Sequence, residues 1–184
     1  MAQTGWAKAF MIFFLVMLVL GFSVPLINLG NEVPPAAEPR LCQTDSDCYL
    51  MCDTPVSVLC SQNLCQQNAC DELQLYPFGE SRVFQLRLFV EQKRIQLSNS
   101  DKDVFVTFSD EEVRTFTSGL TLGQILEKAA IRFTPNCFRV NGQDYCQSDT
   151  ANVTMMVNGN SSYQYNDYVP ENGDLIELRY SSSE

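Results

Sequence analysis

Histidine is absent from the sequence, basic residues are few, and no two cysteines stand in a C-x₂-C pair. Each lack removes a class of chemistry. Without histidine the chain has neither the commonest general base nor the commonest nitrogen ligand for zinc. Twelve Lys and Arg against 22 Asp and Glu leave a net charge of −10 across 184 residues. Such a surface repels phosphate backbones and no basic patch interrupts it, which excludes nucleic acid as a partner. Neither a Ser-His-Asp set nor a glycine-rich phosphate loop is present, so the sequence reads as a non-enzyme with no cofactor and no metal site.

Charge is also missing, more locally, from Ala9 to Asn28, "AFMIFFLVMLVLGFSVPLIN". Twenty helical residues at about 1.5 Å each match a hydrocarbon core of roughly 30 Å, so residues 1–28 are predicted to be a transmembrane signal anchor held by membrane lipid. Lys8 precedes the run and every other charged residue follows it. By the positive-inside rule the N-terminus is then cytoplasmic and the rest extracytoplasmic, with Trp6 at the interface. A cleaved secretory signal is the competing reading, since Gly21 and Ser23 are small; the length of the run and the lack of an A-x-A site favour the anchor. Residues 29–41, with Pro34, Pro35 and Pro39, read as an extended linker.

Six of the eight cysteines fall between Cys42 and Cys70. The intervals between Cys42, Cys48, Cys52, Cys60, Cys65 and Cys70 are five, three, seven, four and four residues, unlike the knuckles of a metal site. A short exported segment with few apolar residues is commonly held by disulfides, so residues 42–73 are expected to be a disulfide module, its connectivity left open. Cys137 and Cys146 bound "CFRVNGQDYC", a strand, an Asn-Gly turn and a returning strand, and are expected to bridge that hairpin. Asp45 and Asp47, with Asp53 near, lack the glycine and distal glutamate of a calcium loop and read as a solvated acidic turn. "SDEE", Ser109 to Glu112, reads likewise as an exposed turn rather than a pair of catalytic carboxylates.

Residues 82–180 read as one α+β domain. Phe84, Leu86, Leu88 and Val90 recur at strand period, and "EQKR" separates them from a second run at Ile95–Leu97, which predicts a hairpin. "DVFVTF" and "VRTFTS" give two further strands. The period then changes: Thr121 with Gln124 is a capping-box pattern, and Leu122, Ile125, Leu126 and Ala129 share a helical face. More strands follow, the last at Leu175 to Tyr180, an order that suits a sheet with one helix across a face.

"GLTLGQIL" opening the helix, then "VNG", then "YVPENGDLIELRY" resemble the closing half of β-grasp proteins: ubiquitin-like sulfur carriers, soluble ligand-binding β-grasp domains and transcobalamin C-terminal-like domains. The same stretches are similar to membrane-anchored archaeal surface proteins that combine a helix-opening "TLG", a cysteine-bounded hairpin and a final "GD-I–Y" strand. The resemblance covers residues 112–180 and implies a β-grasp-like mixed sheet with one helix. Sulfur-carrier activity does not come with it, because that depends on a C-terminal diglycine where this sequence has "YSSSE".

Tether, linker, staples and a catalytically empty β domain together predict a membrane-tethered binding or adhesion module at the cell membrane, facing a protein or glycan partner. A structural subunit of an envelope assembly is the alternative. Tyr163, Tyr165 and Tyr168, set among Asn, Ser and Asp, have the composition of an adaptable recognition loop; the competing reading packs them on an edge strand. Asn152 and Asn160 open N-x-S/T sequons and are candidate glycosylation sites.

Overall fold

The computed structural model describes residues 10–18, 38–71 and 73–182, in two units divided after residue 37. In the first unit residues 10–18 form a helix (α1) whose apolar side chains, Phe10, Ile12 and Phe14 among them, are exposed. Residues 1–9, including Trp6 and Lys8, residues 19–28 of the expected anchor and residues 29–37 of the expected linker lie outside the described residues. Among the described residues no helix is long and apolar enough to cross a membrane.

In the second unit the chain first makes two small hairpins. One pairs β1 (Leu50–Met51) with β2 (Pro55–Val56); the other pairs β3 (Cys60–Ser61) with β4 (Leu64–Cys65). Disulfides join Cys42 to Cys60, Cys48 to Cys65 and Cys52 to Cys70, so the first three cysteines are paired in order with the last three. Each bridge closes 17 or 18 residues, a loop length worth about 3 kcal/mol in the chain-entropy account. Their need is plain, because the module's own core is only Cys42, Cys48, Leu50, Val58, Cys60 and Cys65.

The main sheet begins at β5 (Arg82–Val90), which turns back through β6 (Lys93–Ile95). A second hairpin, β7 (Val106–Ser109) and β8 (Glu112–Thr115), returns β8 to the first half of β5. Helix α2 (Leu122–Lys128) follows, with Thr121 as its N-cap and Gln124 closing the capping box. Then come β9 (Arg132–Phe133), β10 (Cys137–Val140) and β11 (Gln143–Cys146), a three-stranded sheet of order β11-β10-β9. Cys137 faces Cys146 across the β10–β11 hairpin and is bonded to it, and Asn141 and Gly142 supply the positive φ values, 51° and 81°, that a two-residue turn needs.

The chain rejoins the main sheet in β12 (Ala151–Val157) and β13 (Asn160–Ser161) and ends in β14 (Leu175–Ser182). The finished order is β13-β12-β14-β5-β8-β7, with the last strand parallel to the first at its centre and every other pairing antiparallel. The fold is thus α+β with a mixed sheet. One face is buried: Phe84, Leu86 and Leu88 of β5, Val153 and Met155 of β12, and Ile176 and Leu178 of β14 meet Leu122, Ile125 and Leu126 of α2. Each such side chain contributes roughly 1.5–3 kcal/mol on burial. The opposite face is polar; there Glu111 of the β7–β8 turn accepts both Arg87 and Arg94 at 2.7 Å, and Arg179 stacks 4.9 Å over Phe89.

Asp45 departs from the expected solvated turn. It is 1 % exposed and sits under α2, where its Oδ1 receives Lys128 Nζ at 2.6 Å and the Cys60 N–H at 2.9 Å. Its Oδ2 accepts the N–H groups of Val104 and Phe105 at 3.0 and 3.3 Å. Lys128 completes its donors on the Cys60 carbonyl (2.6 Å) and Asp103 (3.5 Å). The physical reason for the departure is non-local: four donors 15 to 83 residues away converge on one carboxylate, and together they replace the water it loses. Asp47 and Asp53 are exposed as expected, Asp47 accepting the Gln43 and Thr44 N–H groups, which hold its carboxyl below the usual range. With Leu59 also entering the large core, the cysteine module and the sheet domain, read from sequence as separate domains at 42–73 and 82–180, form one unit.

Asp45→Ala leaves the Lys128 charge buried with the neutral Cys60 carbonyl and only the longer Asp103 contact as its counter-charge, and is expected to lower the unfolding free energy by about 3–5 kcal/mol in urea denaturation. Asp45→Leu combined with Lys128→Met, which removes both charges, is expected to recover part of that loss. A cost below about 1 kcal/mol for Asp45→Ala would show that the pair does not hold the two parts together.

Candidate functional site

All eight cysteines are in disulfides, so the nucleophilic and ligating forms of sulfur are already consumed. The sulfurs of Cys42, Cys48 and Cys65 do lie within 4.8 Å of one another, but that closeness is the crowding of two neighbouring bridges. Two of the three carboxylates of "SDEE" are also committed, Glu111 to two arginines and Glu112 to Arg114 at 3.5 Å.

The three tyrosines are not on an edge strand. After β13 the chain makes a short 3₁₀ turn, Tyr165–Asp167, laid against α2. Gly123 permits this approach: a Cβ there would stand 3.2 Å from Asn166 Cβ and from its carbonyl oxygen. Tyr165 takes a left-handed φ of 46°, uncommon for a bulky residue, and its half-buried ring sits 6.2 Å from that of Phe133. Tyr168 is tied at both ends, its carbonyl accepting the Leu122 N–H (2.7 Å) and its hydroxyl donating to Asp174 Oδ2 (2.7 Å). Tyr163 alone of the three is largely exposed, at 84 %.

Asp174, the acid of the "ENGD" turn, organises the entry to β14. Besides Tyr168 it accepts Asn158 Nδ2 and the Glu171 N–H, both at 2.8 Å, while its own carbonyl receives the Gln85 N–H and so sets β14 beside β5. Burial pushes its carboxyl up, but the hydrogen bonds from Tyr168, Glu171 and Asn158 together outweigh that and hold it below the ordinary value. Tyr168 is pushed well above the normal phenol range, first by burial and then by the hydrogen bond to Asp174.

Beside the 3₁₀ turn a groove of about 620 Å³ opens between three segments far apart in sequence. The β3–β4 turn contributes Ser61, Gln62 and Asn63; α2 contributes Gln124 and Glu127; the stretch from Ala130 to Thr134 forms a third wall, and Asn166 and Asp167 close the end. Glu127 ties the first two walls, accepting Ser61 Oγ at 3.0 Å and the Gln62 N–H at 2.6 Å. Four residues with carboxamide side chains, Gln62, Asn63, Gln124 and Asn166, therefore line one cavity together with Phe133, the Gln124 amide being bonded to the Thr121 N–H and to the Tyr76 hydroxyl. No local pattern in the sequence announces this set, since the residues come together only through the module's attachment to α2. Of the residues predicted to contact a ligand, Tyr165 touches the groove only through Phe133, and none of the three tyrosines lines it. The sequon asparagines lie elsewhere: Asn152 is exposed in β12 on the polar face of the sheet, and Asn160 is exposed in β13.

Comparison of the chain with models of protein families, with curated proteins and with solved structures finds no match.

A carboxyl held below its unfolded-state value supports the fold above that value and ceases to do so as pH falls through the folded one. Asp174 is therefore expected to make stability fall on acidification below about pH 4, and Asp174→Asn to flatten that part of the profile while costing about 1–3 kcal/mol at neutral pH. Urea midpoints between pH 7 and 3 for both forms check this; parallel profiles would contradict it.

Proposed function

We propose that the protein is a membrane-tethered, extracytoplasmic binding or adhesion module without catalytic activity, anchored in the cell membrane as a single pass by its N-terminal helix. The observation that carries the reading is the groove: a volume within the 300–1,000 Å³ range usual for ligand sites, walled by side-chain amides and built on a stapled, cross-braced frame. Amides offer donors and acceptors without titrating near neutral pH, which suits recognition more than chemistry. The uncharged run from Ala9 to Asn28, whose residues 10–18 are helical with apolar side chains outward, supports the anchor. A central parallel pair made by the first and last strands of the sheet, with a helix across one face, supports a β-grasp-like fold. Exposure of Asn152 and Asn160 is compatible with glycans at both. The partner is a protein or glycan of the cell surface.

The test uses the full chain in intact membranes, with a photo-crosslinking residue at Gln62 in the groove or at Asp149 outside it. One saturable adduct from Gln62 and none from Asp149 is expected, with the chain retained in the membrane fraction after carbonate washing. Adducts from both positions in a fixed-stoichiometry complex would replace this reading with a structural subunit, and no adduct from either would remove the groove as the site.

A further inference from the structure

β9 is an edge strand, and both of its residues, Arg132 and Phe133, line the groove. It pairs with β10 in the register Phe133 to Phe138 and Arg132 to Arg139, and just beyond it the Thr134 N–H donates to the Cys137 carbonyl at 2.8 Å. Residues of an antiparallel strand alternate between turning both backbone groups toward the partner and turning both away. Thr134 and Arg132 turn toward β10, so the N–H and carbonyl of Phe133 turn away, on the side where the Ile131 N–H meets the Leu126 carbonyl at the end of α2. No partner for either Phe133 group is found among the described residues. The outer edge of β7 shows the contrasting case. There Asn99 lies along the strand, its Nδ2 donating to the Val106 carbonyl (2.9 Å) and its Oδ1 accepting the Phe108 N–H (3.4 Å), so that edge is already covered.

We infer that the groove takes an extended peptide carrying a basic side chain, which adds to β9 as a further strand and pairs with the N–H and carbonyl of Phe133. The inference rests on the binding reading above and names the ligand. Main-chain hydrogen bonds give affinity in this mode of recognition, and the flanking side chains give selectivity. Gln62 and Asn63, on the wall supplied by the module, are suited to the peptide's outward amides. Glu127 and Asp167 outnumber Arg132 at the groove, and the chain as a whole carries −10, so a lysine or arginine on the peptide is favoured and an acidic residue is penalised.

The probe is a phage-displayed heptapeptide library panned on the full chain in lipid nanodiscs, with selected peptides resynthesised and amide hydrogen exchange followed residue by residue. The expected result is enrichment of extended peptides with Lys or Arg that slow exchange of the Phe133 amide by roughly tenfold or more while leaving the Arg132 amide, already turned to β10, unchanged. N-methylation of alternate peptide amides is expected to weaken binding by about tenfold or more, since it removes the ladder donors, and Asp167→Lys to shift preference away from basic peptides. Selected peptides that leave Phe133 exchange unmoved, or that bind equally well when N-methylated, overturn the inference. If no peptide is enriched while the Gln62 adduct persists, the ligand is of another class: the inference fails and the binding reading stands. Absence of both ends the two together.

Discussion

The ion pair between Asp45 and Lys128 is the joint on which the rest of the molecule depends. Two charges removed from water cost several kcal/mol each unless the site returns what water supplied. Here it does: the carboxylate has four donors and the ammonium three acceptors, drawn from the module, from the segment before β7 and from the last turn of α2. The geometry is satisfied only when all three segments are in place, so the pair specifies an arrangement as much as it stabilises one. A greasy contact would tolerate sliding; this one does not.

The groove follows from that joint. Lys128 and Glu127 are neighbours at the end of α2, the first reaching inward to Asp45 and Cys60 and the second outward to Ser61 and Gln62. Together they hold the β3–β4 turn at the groove that Arg132 and Phe133 of β9 also line. The three crossed disulfides make the module stiff enough for its turn to serve as a wall, and the close approach of the Tyr165–Asp167 turn to Gly123 closes one end. Residues whose individual roles are structural thus define a cavity that none of them would form alone.

Local features were legible in the sequence because their causes are local. Alternation in β5, the capping box at Thr121 and Gln124, and the Asn-Gly turn between Cys137 and Cys146 each depend on neighbours within a few residues. What escaped was set at long range. Six cysteines admit fifteen pairings, and the observed one is decided by how the module folds on itself. Asp45 looks like a surface acid until Lys128, 83 residues away, is placed beside it. The tyrosine-rich stretch has the composition of a recognition loop, yet packing on Phe133 and the hydrogen bond to Asp174 engage Tyr165 and Tyr168 and leave Tyr163 outside. The groove's amides are spread from Gln62 to Asn166, so no window of sequence holds more than two of them.

The central claim is that module and sheet are one cooperative body held at Asp45. Native-state hydrogen exchange of the three amides that donate to this carboxylate tests it most directly, since the Cys60 N–H belongs to the module and the Val104 and Phe105 N–H groups belong to the sheet domain. If the claim is right, all three exchange only through the same large opening, with equal opening free energies and equal sensitivity to urea. Exchange of Cys60 through a smaller, urea-insensitive opening while Val104 and Phe105 stay protected would contradict it, and would mean that the module detaches on its own.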